Sequence, residues 1–301
     1  MRKIILASVI MAVMLLTWSS LAPARAQDSA KDDKPTFYHL VPGTYVNGWP
    51  RFIVHYPKDW VERPLYAAGG DVFRVSPPGP VQYPAFSGVV VPFPPSLDKF
   101  AEAVVPVFKA AGCQDVTVIS NKPSQLRDGT RAQEVEVGFV RNGAPGNWLG
   151  LGTKKGDVLI QVNVIGYGGK IGEDLRALIY SLEFQVGKDE PVKVPPDVQE
   201  FLDKHGNDIV SHDLAKVMSH YSDRFLNSGV KKGEVERMWR WGIGSWMSQN
   251  GTITDFVPVG DRAYLAGFVK TNLGTFPISE TSIIKENGEW KWYGNQREVV
   301  P

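Results

Sequence analysis

RDGTRAQEVEVGFVRNG, residues 127–143, holds one strand between two turn signals. Asp128-Gly129 and Asn142-Gly143 are dipeptides that readily supply the left-handed backbone of tight turns. Between them Ala132, Val135, Val137 and Phe139 are spaced among polar residues as in a half-buried strand. A strand closed at both ends by such turns has antiparallel neighbours on either side, so the sheet around it is expected to be antiparallel.

Working outward, Val116, Val118 and Ser120 begin the strand before this one. Lys155-Gly156-Asp157 is a further turn leading into the β-branched run Val158–Ile165. Two helices interrupt the strands. Ser96 reads as an N-cap for Leu97, Phe100, Val104, Val107 and Phe108 at helical spacing, with Gly112 as the stop. Leu175, Leu178, Ile179 and Leu182 share one face of a helix over 173–182. Farther upstream RFIVHYP (51–57), 71–75 and 87–93 read as short strands, with Pro-rich turns at 77–84. The order β-β-β-α-β-β-β-β-α predicts an α+β fold over residues 36–187: an antiparallel sheet sandwich with two helices covering one face. Chemistry is thin here. Gly150-x-Gly152-x-x-x-Gly156 lacks the spacing of a dinucleotide loop and reads as hairpin glycine. Cys113 is the only cysteine, so no internal disulfide forms, and a buried neutral thiol is expected.

FIVHYPKDW (52–60), DGTRAQEVEV (128–137) and LIYSLEF (178–184) together resemble the PsbP-like fold. That resemblance implies the fold of extrinsic photosystem subunits and of many exported bacterial proteins, and no activity.

GKDEPVKVPPD (187–197) is Pro-rich and charged, and predicts an extended linker over 188–196. A second domain is expected at 197–301. Pro196 suits the first turn of a helix carrying Phe201, Leu202, Ile209 and Val210, with Gly206 as a break. Val210, Leu214, Val217, Met218, Tyr221 and Phe225 form one apolar stripe of a second helix. A third, from about Lys232, carries Val235, Met238, Trp239, Gly242 and Trp246. Four strands follow at 253–259, 263–270, 276–285 and 290–293, the last pair joined by Asn287-Gly288.

HDLAKVMSHYSDRFL (212–226) and the closing EWKWYGNQ (289–296) are similar to the nuclear transport factor 2-like (SnoaL-like) family. The resemblance implies three helices and a curved antiparallel sheet forming a cone whose mouth can be a ligand cavity. Tyr221, Phe225, Trp239, Trp246, Phe268 and Trp292 are the ligand-binding candidates; they either line an apolar cavity or fill the core. Enzymes of this family, such as ketosteroid isomerases, place an acid or histidine in the cavity. Asp213, His220, Asp223 and Asp255 are the positions available for it, with Tyr221 as donor. On a continuous helix only Tyr221 points inward, which favours a non-catalytic binding or scaffolding protein over a lyase or isomerase. His205, His212 and His220 read as solvated, with no metal-ligand spacing; no metal site and no cofactor are expected. Trp241 falls off the stripe and should be exposed. The partners expected are a small apolar ligand and a homodimer through the C-terminal sheet.

The chain has 301 residues, 43% hydrophobic and 22% charged, as in ordinary globular proteins. The net charge is +1, and three of the 33 basic residues (Arg2, Lys3 and Arg25) lie in the first 26. The remainder is slightly acidic, which gives no footprint for nucleic acid or an anionic membrane. Arg2-Lys3, the apolar run Ile4–Leu16 and Ala24-Arg25-Ala26 read as a signal peptide over 1–26. A disordered leader over 27–35 follows. The expectation is an exported protein without an anchor after cleavage, periplasmic in a Gram-negative source and otherwise secreted.

Overall fold

The computed structural model describes residues 40–63, 71–92, 96–185, 189–227 and 229–296. The segments read as signal peptide and leader lie outside them. No helix among the described residues is long and apolar enough to cross a membrane.

The first region is built on a seven-stranded antiparallel sheet. In chain order its strands are β4 (Val61–Glu62), β5 (Asp71–Ser76), β6 (Ala85–Val91), β7 (Gln114–Gln125), β8 (Arg131–Arg141), β9 (Ala144–Lys155) and β10 (Val158–Tyr167), paired in the order β4-β5-β6-β10-β9-β8-β7. The turns of the opening stretch form as expected. Gly129 has φ +84°, and Thr130 N–H donates to Asp128 Oδ1 at 2.8 Å. Asn142 and Gly143, at φ +50° and +76°, close the β8–β9 hairpin. Gly156, φ +57°, turns β9 into β10.

One correction concerns the layers. A small second sheet, β1 (Leu40–Val41), β2 (Thr44–Asn47), β3 (Phe52–His55) and β11 (Glu183–Phe184), packs with α2 (Glu173–Ile179) on one face of the large sheet. Helix α1 (Phe100–Ala110) covers the other. The two helices therefore lie on opposite faces, and β8 is buried on both. Val135, Val137 and Phe139 meet α1. On the other side Glu134 accepts from Tyr180 Oη (2.5 Å) and Arg176 Nη1 (2.5 Å) and pairs with Lys122 Nζ (3.1 Å), while Arg176 Nη2 reaches Glu136 at 3.2 Å. Burial alone would raise the Glu134 carboxyl; the bonds from Tyr180, Arg176 and Lys122 outweigh it and hold it below the ordinary carboxylate value. Val107, placed on the buried face of α1 by its spacing, is exposed. Ser96 precedes α1 through a 3-10 turn and makes no side-chain capping bond. Gly150 and Gly152 lie within β9: a Cβ would come 2.1 Å from the Trp148 ring and 2.9 Å from that of Phe100. Those glycines make room for rings. Cys113 is buried, and burial raises its thiol.

In the second region helix α3 (Pro196–Val210) opens on Pro196 and runs unbroken through Gly206, contrary to the expected break. The Gln249 side chain lies over Gly206: a Cβ there would come 2.8 Å from Gln249 Nε2 and oblige that side chain to shift. The long second helix expected over 210–225 is also corrected. His212 takes φ +61°, and the following α4 (Leu214–Ser219) is a short helix that Asp213 caps by accepting from Lys216 N–H at 3.1 Å. Past it the chain is extended. Trp292 N–H donates to His220 O (2.7 Å) and Ser222 N–H to Trp292 O (3.0 Å), so Tyr221 sits on a bridge. A small pair, β12 (Leu226–Asn227) and β13 (Val230–Lys231), leads into α5 (Lys232–Gly242). Then come β14 (Gln249–Val259), β15 (Arg262–Thr271), β16 (Gly274–Glu286) and β17 (Glu289–Trp292), antiparallel in that order.

Strand β15 divides its residues by parity. Ala263 and Leu265 face the helices and are buried among them. Tyr264 and Ala266 face the other way, onto Val46 of the first region. The Phe268 ring lies 4.5 Å from that of Trp49, and Arg51 reaches Asp255 at 3.4 Å. Lys270 meets Asp157 at 3.5 Å. This outer sheet face was the surface expected to form a homodimer; the same chain's first region occupies it. Nor does the linker stand free. Val192 N–H donates to Ile253 O at 2.8 Å, Val194 is buried, and Asp189 pairs with Lys155.

Candidate functional site

Helix α3 places Val198, Phe201, His205 and Ile209 at steps of three and four, one face that packs toward the sheet. Between that face, α5 and the inner side of β14–β17 is a cavity of about 570 Å³. Aromatic rings provide much of its wall. Trp246 lies between Trp239 (centroids 5.3 Å apart) and Phe276 (5.0 Å), and Tyr221 meets Phe225 edge-on at 5.3 Å. The loop carrying Trp246 is held on both sides: His212 Nε2 bonds Trp246 O at 2.9 Å, and Asn272 accepts from Met247 N–H at 2.9 Å and donates to Ser245 O at 3.0 Å.

Of the six sequence candidates, Tyr221, Phe225, Trp239, Trp246 and Trp292 line this cavity. Phe268 does not: it is on the outer row of β15, against Trp49. Trp290 turns away as well and donates from its indole to Asp197 at 2.9 Å. Trp241 is exposed, as its position off the stripe implied.

The sequence reading left His205 in solvent, and the structure corrects this. His205 is 6% exposed and stands at the centre of the aromatic group, with Trp292, Tyr221, His220 and Trp239 around its ring. His220 is equally buried and bonds Asp208 Oδ2 through Nε2 at 2.7 Å. Burial, helped by the neighbouring His220, lowers the His205 pKa to about 3. Burial pushes the Tyr221 hydroxyl up to about 12, against the pull of the Trp239 N–H that donates to it at 3.2 Å. The clue to His205 was its place on the Phe201–Ile209 face of α3, four residues from each.

The other catalytic candidates lie elsewhere. Asp213 caps α4, Asp223 pairs with Lys232 at 2.7 Å, and Asp255 faces Arg51 at the junction of the two regions. Among the described residues no three His, Cys, Asp or Glu side chains lie close enough together to hold a metal ion.

Two residues of the cavity wall each carry a buried polar atom that has no hydrogen-bond partner and is closed off from the cavity space: His205 Nε2 and Gln249 Oε1. The state of the first is fixed by chemistry. The Trp292 indole N–H can only donate, and it does so to His205 Nδ1 at 3.2 Å. The neutral imidazole therefore carries its proton on Nε2, as an unsatisfied donor. Gln249 Oε1 is an unsatisfied acceptor, on a side chain lying against Gly206, the residue next to His205.

No family model matches the chain, and no curated protein matches it. Solved structures do. The solution structure of cyanobacterial PsbP (CyanoP) from Synechocystis sp. PCC 6803 is 13% identical, covering 52% of this chain and 98% of its own, with a TM-score of 0.39. A crystal structure from Bacteroides thetaiotaomicron is 14% identical over 84% of this chain and 89% of its own, TM-score 0.35. A protein of unknown function from Pseudomonas aeruginosa is 12% identical over 38% of this chain and 76% of its own, TM-score 0.22. The first is a PsbP-like neighbour over about half the chain. At these scores none of the three carries an argument about activity.

Proposed function

We propose that this chain is an exported, two-domain, non-catalytic binding protein. On this reading a PsbP-like unit is joined to a nuclear transport factor 2-like cone that holds a small, largely apolar molecule. The observation that carries it is the cavity itself: its volume is in the range that encloses drug-sized ligands, and aromatic rings wall it. The export part rests on Arg2-Lys3, the apolar run after it and Ala24-x-Ala26.

A lyase or isomerase has less behind it. General acid–base chemistry works best with a group titrating near the working pH, and the two buried groups on this cavity, His205 and Tyr221, are displaced from it in opposite directions. The test is a titration of the purified protein with neutral apolar compounds, naphthalene included, read by tryptophan emission and melting temperature. A saturable emission change with a rise in Tm is expected, weakened about tenfold or more in Trp246→Ala. If no compound moves either signal, the reading fails.

A further inference from the structure

We infer that the cavity is selective for an organic cation, an ammonium head held electrostatically by Asp203 on an apolar body set among the aromatic rings of the wall. This rests on the binding reading above and adds the charge of the ligand.

Three observations point the same way. First, the wall carries one formal charge, and it is negative. Among the described residues Asp203 is the only acid that lines the cavity, and no lysine or arginine does. Asp203 is exposed, and its carboxylate accepts from the uncharged Gln199 amide at 2.8 Å, with no base to neutralise it among the described residues. The one lysine of α3, Lys204, lies outside the wall. Second, the histidine of the wall adds no positive charge. His205 Nδ1 accepts from the Trp292 indole, and burial lowers the pKa to about 3, so the ring is neutral near pH 7. A charge acts through space as well as by contact. An unopposed carboxylate therefore favours a cation in this small volume and disfavours an anion, whatever the exact pose. Third, the rings open to a ligand are of the kind that attracts cations. Phe225, Trp239, Trp246 and Phe276 line the cavity, are only partly buried and come from four separate parts of the chain. The face of an aromatic ring carries negative potential that draws a cation, tryptophan most strongly. Gln199, Asp203 and Asn207, at steps of four on α3, form an exposed polar row along the same cavity. That row gives the charged head a hydrated place and leaves the rings to the body.

The experiment compares three probes of nearly one shape: phenyltrimethylammonium, its neutral isostere tert-butylbenzene, and the anion benzenesulfonate, each titrated by calorimetry into the full chain. Phenyltrimethylammonium should bind about fivefold or more tightly than tert-butylbenzene. Benzenesulfonate should bind more weakly than either. In Asp203→Asn, at an exposed helical position that leaves the core untouched, the ratio of cation to hydrocarbon affinity should fall about threefold or more. Equal or tighter binding of tert-butylbenzene, tighter binding of benzenesulfonate than of the hydrocarbon, or a ratio that Asp203→Asn leaves unchanged overturns the inference while leaving the binding reading intact. Binding of none of the three overturns both.

Discussion

In the first region rings lie on glycine. Phe73 covers Gly88, Phe139 covers Gly146, Trp148 covers Gly150 and Phe100 covers Gly152, each so closely that a Cβ would fall between 2.1 and 2.9 Å from a ring carbon. In the second region the rings meet one another at edges and tilts around His205 and Trp246, and none of its crowded glycines backs a ring. Rings of the first region meet one another too, Phe108 lying 4.9 Å from Phe139, so the glycine beneath the ring is what sets the regions apart; the cavity of about 570 Å³ belongs to the second. Polar groups follow suit: Glu134 in the first region is completely buried yet satisfied by three side chains, whereas among the described residues all the buried side-chain atoms without partners lie between His205 and Thr254.

That contrast can be broken in order of effect. Glu134→Ala should cost about 3 kcal/mol or more in urea denaturation, because it removes the buried carboxylate that Tyr180 and one arm of Arg176 both donate to, leaving Glu136 as the only buried partner of Arg176; a loss below about 1 kcal/mol would mean the network is dispensable. Gly150→Ala should cost about 2 kcal/mol, since the Trp148 ring has nowhere to retreat. Acidification should reach the second region first. His205 has a folded pKa of about 3 against 6.5 ordinarily, so the unfolded chain takes up a proton there that the folded chain refuses. Stability is complete above pH 6.5 and falls as pH drops toward 3, by about 2 kcal/mol between pH 6.5 and 5. The depressed carboxyl of Glu134 adds its own loss only below its ordinary value of 4.5. A denaturation series across pH 5–6.5 that is flat would remove the buried neutral histidine from the account. The smallest effect is the most discriminating: Gln249→Leu should raise ligand-free stability by about 1 kcal/mol, because it replaces an amide whose buried oxygen bonds to nothing. A cost like that of Glu134→Ala would equalise the two regions.

Much of the antiparallel framework was legible. The Asp-Gly and Asn-Gly turns and the apolar spacing of β8 placed its hairpins, and the four C-terminal strands fell close to their expected bounds. The layer count was not, for a physical reason. Glu134 and Glu136 alternate with valines and give that face of β8 a wet look; it is dry because Arg176 and Tyr180 come down upon it from α2. Two errors in the second region share a cause as well. Gly206 looked like a break because the side chain that fills its space, Gln249, is 43 residues on. Tyr221 and Phe225 fitted a helical stripe, yet pairing with Trp292 draws the chain out of helix at that point. Five of the six candidate ligand residues still reach the cavity, since the extended path and the helical one both turn Tyr221 and Phe225 inward.

Strand β15 is a party wall, with odd-numbered residues furnishing one room and even-numbered ones the other. Its register is pinned by irregularities opposite Ile253/Asp255 and at Leu265/Gly267. A slip of β15 by one residue against its neighbours would exchange both rows at once, turning Phe268 toward the hollow and Val269 toward the first region, and the two irregularities hold it against that slip. The odd-even count of this one strand therefore links the pocket's lining to the seam between the regions, and neither can be rewritten without the other.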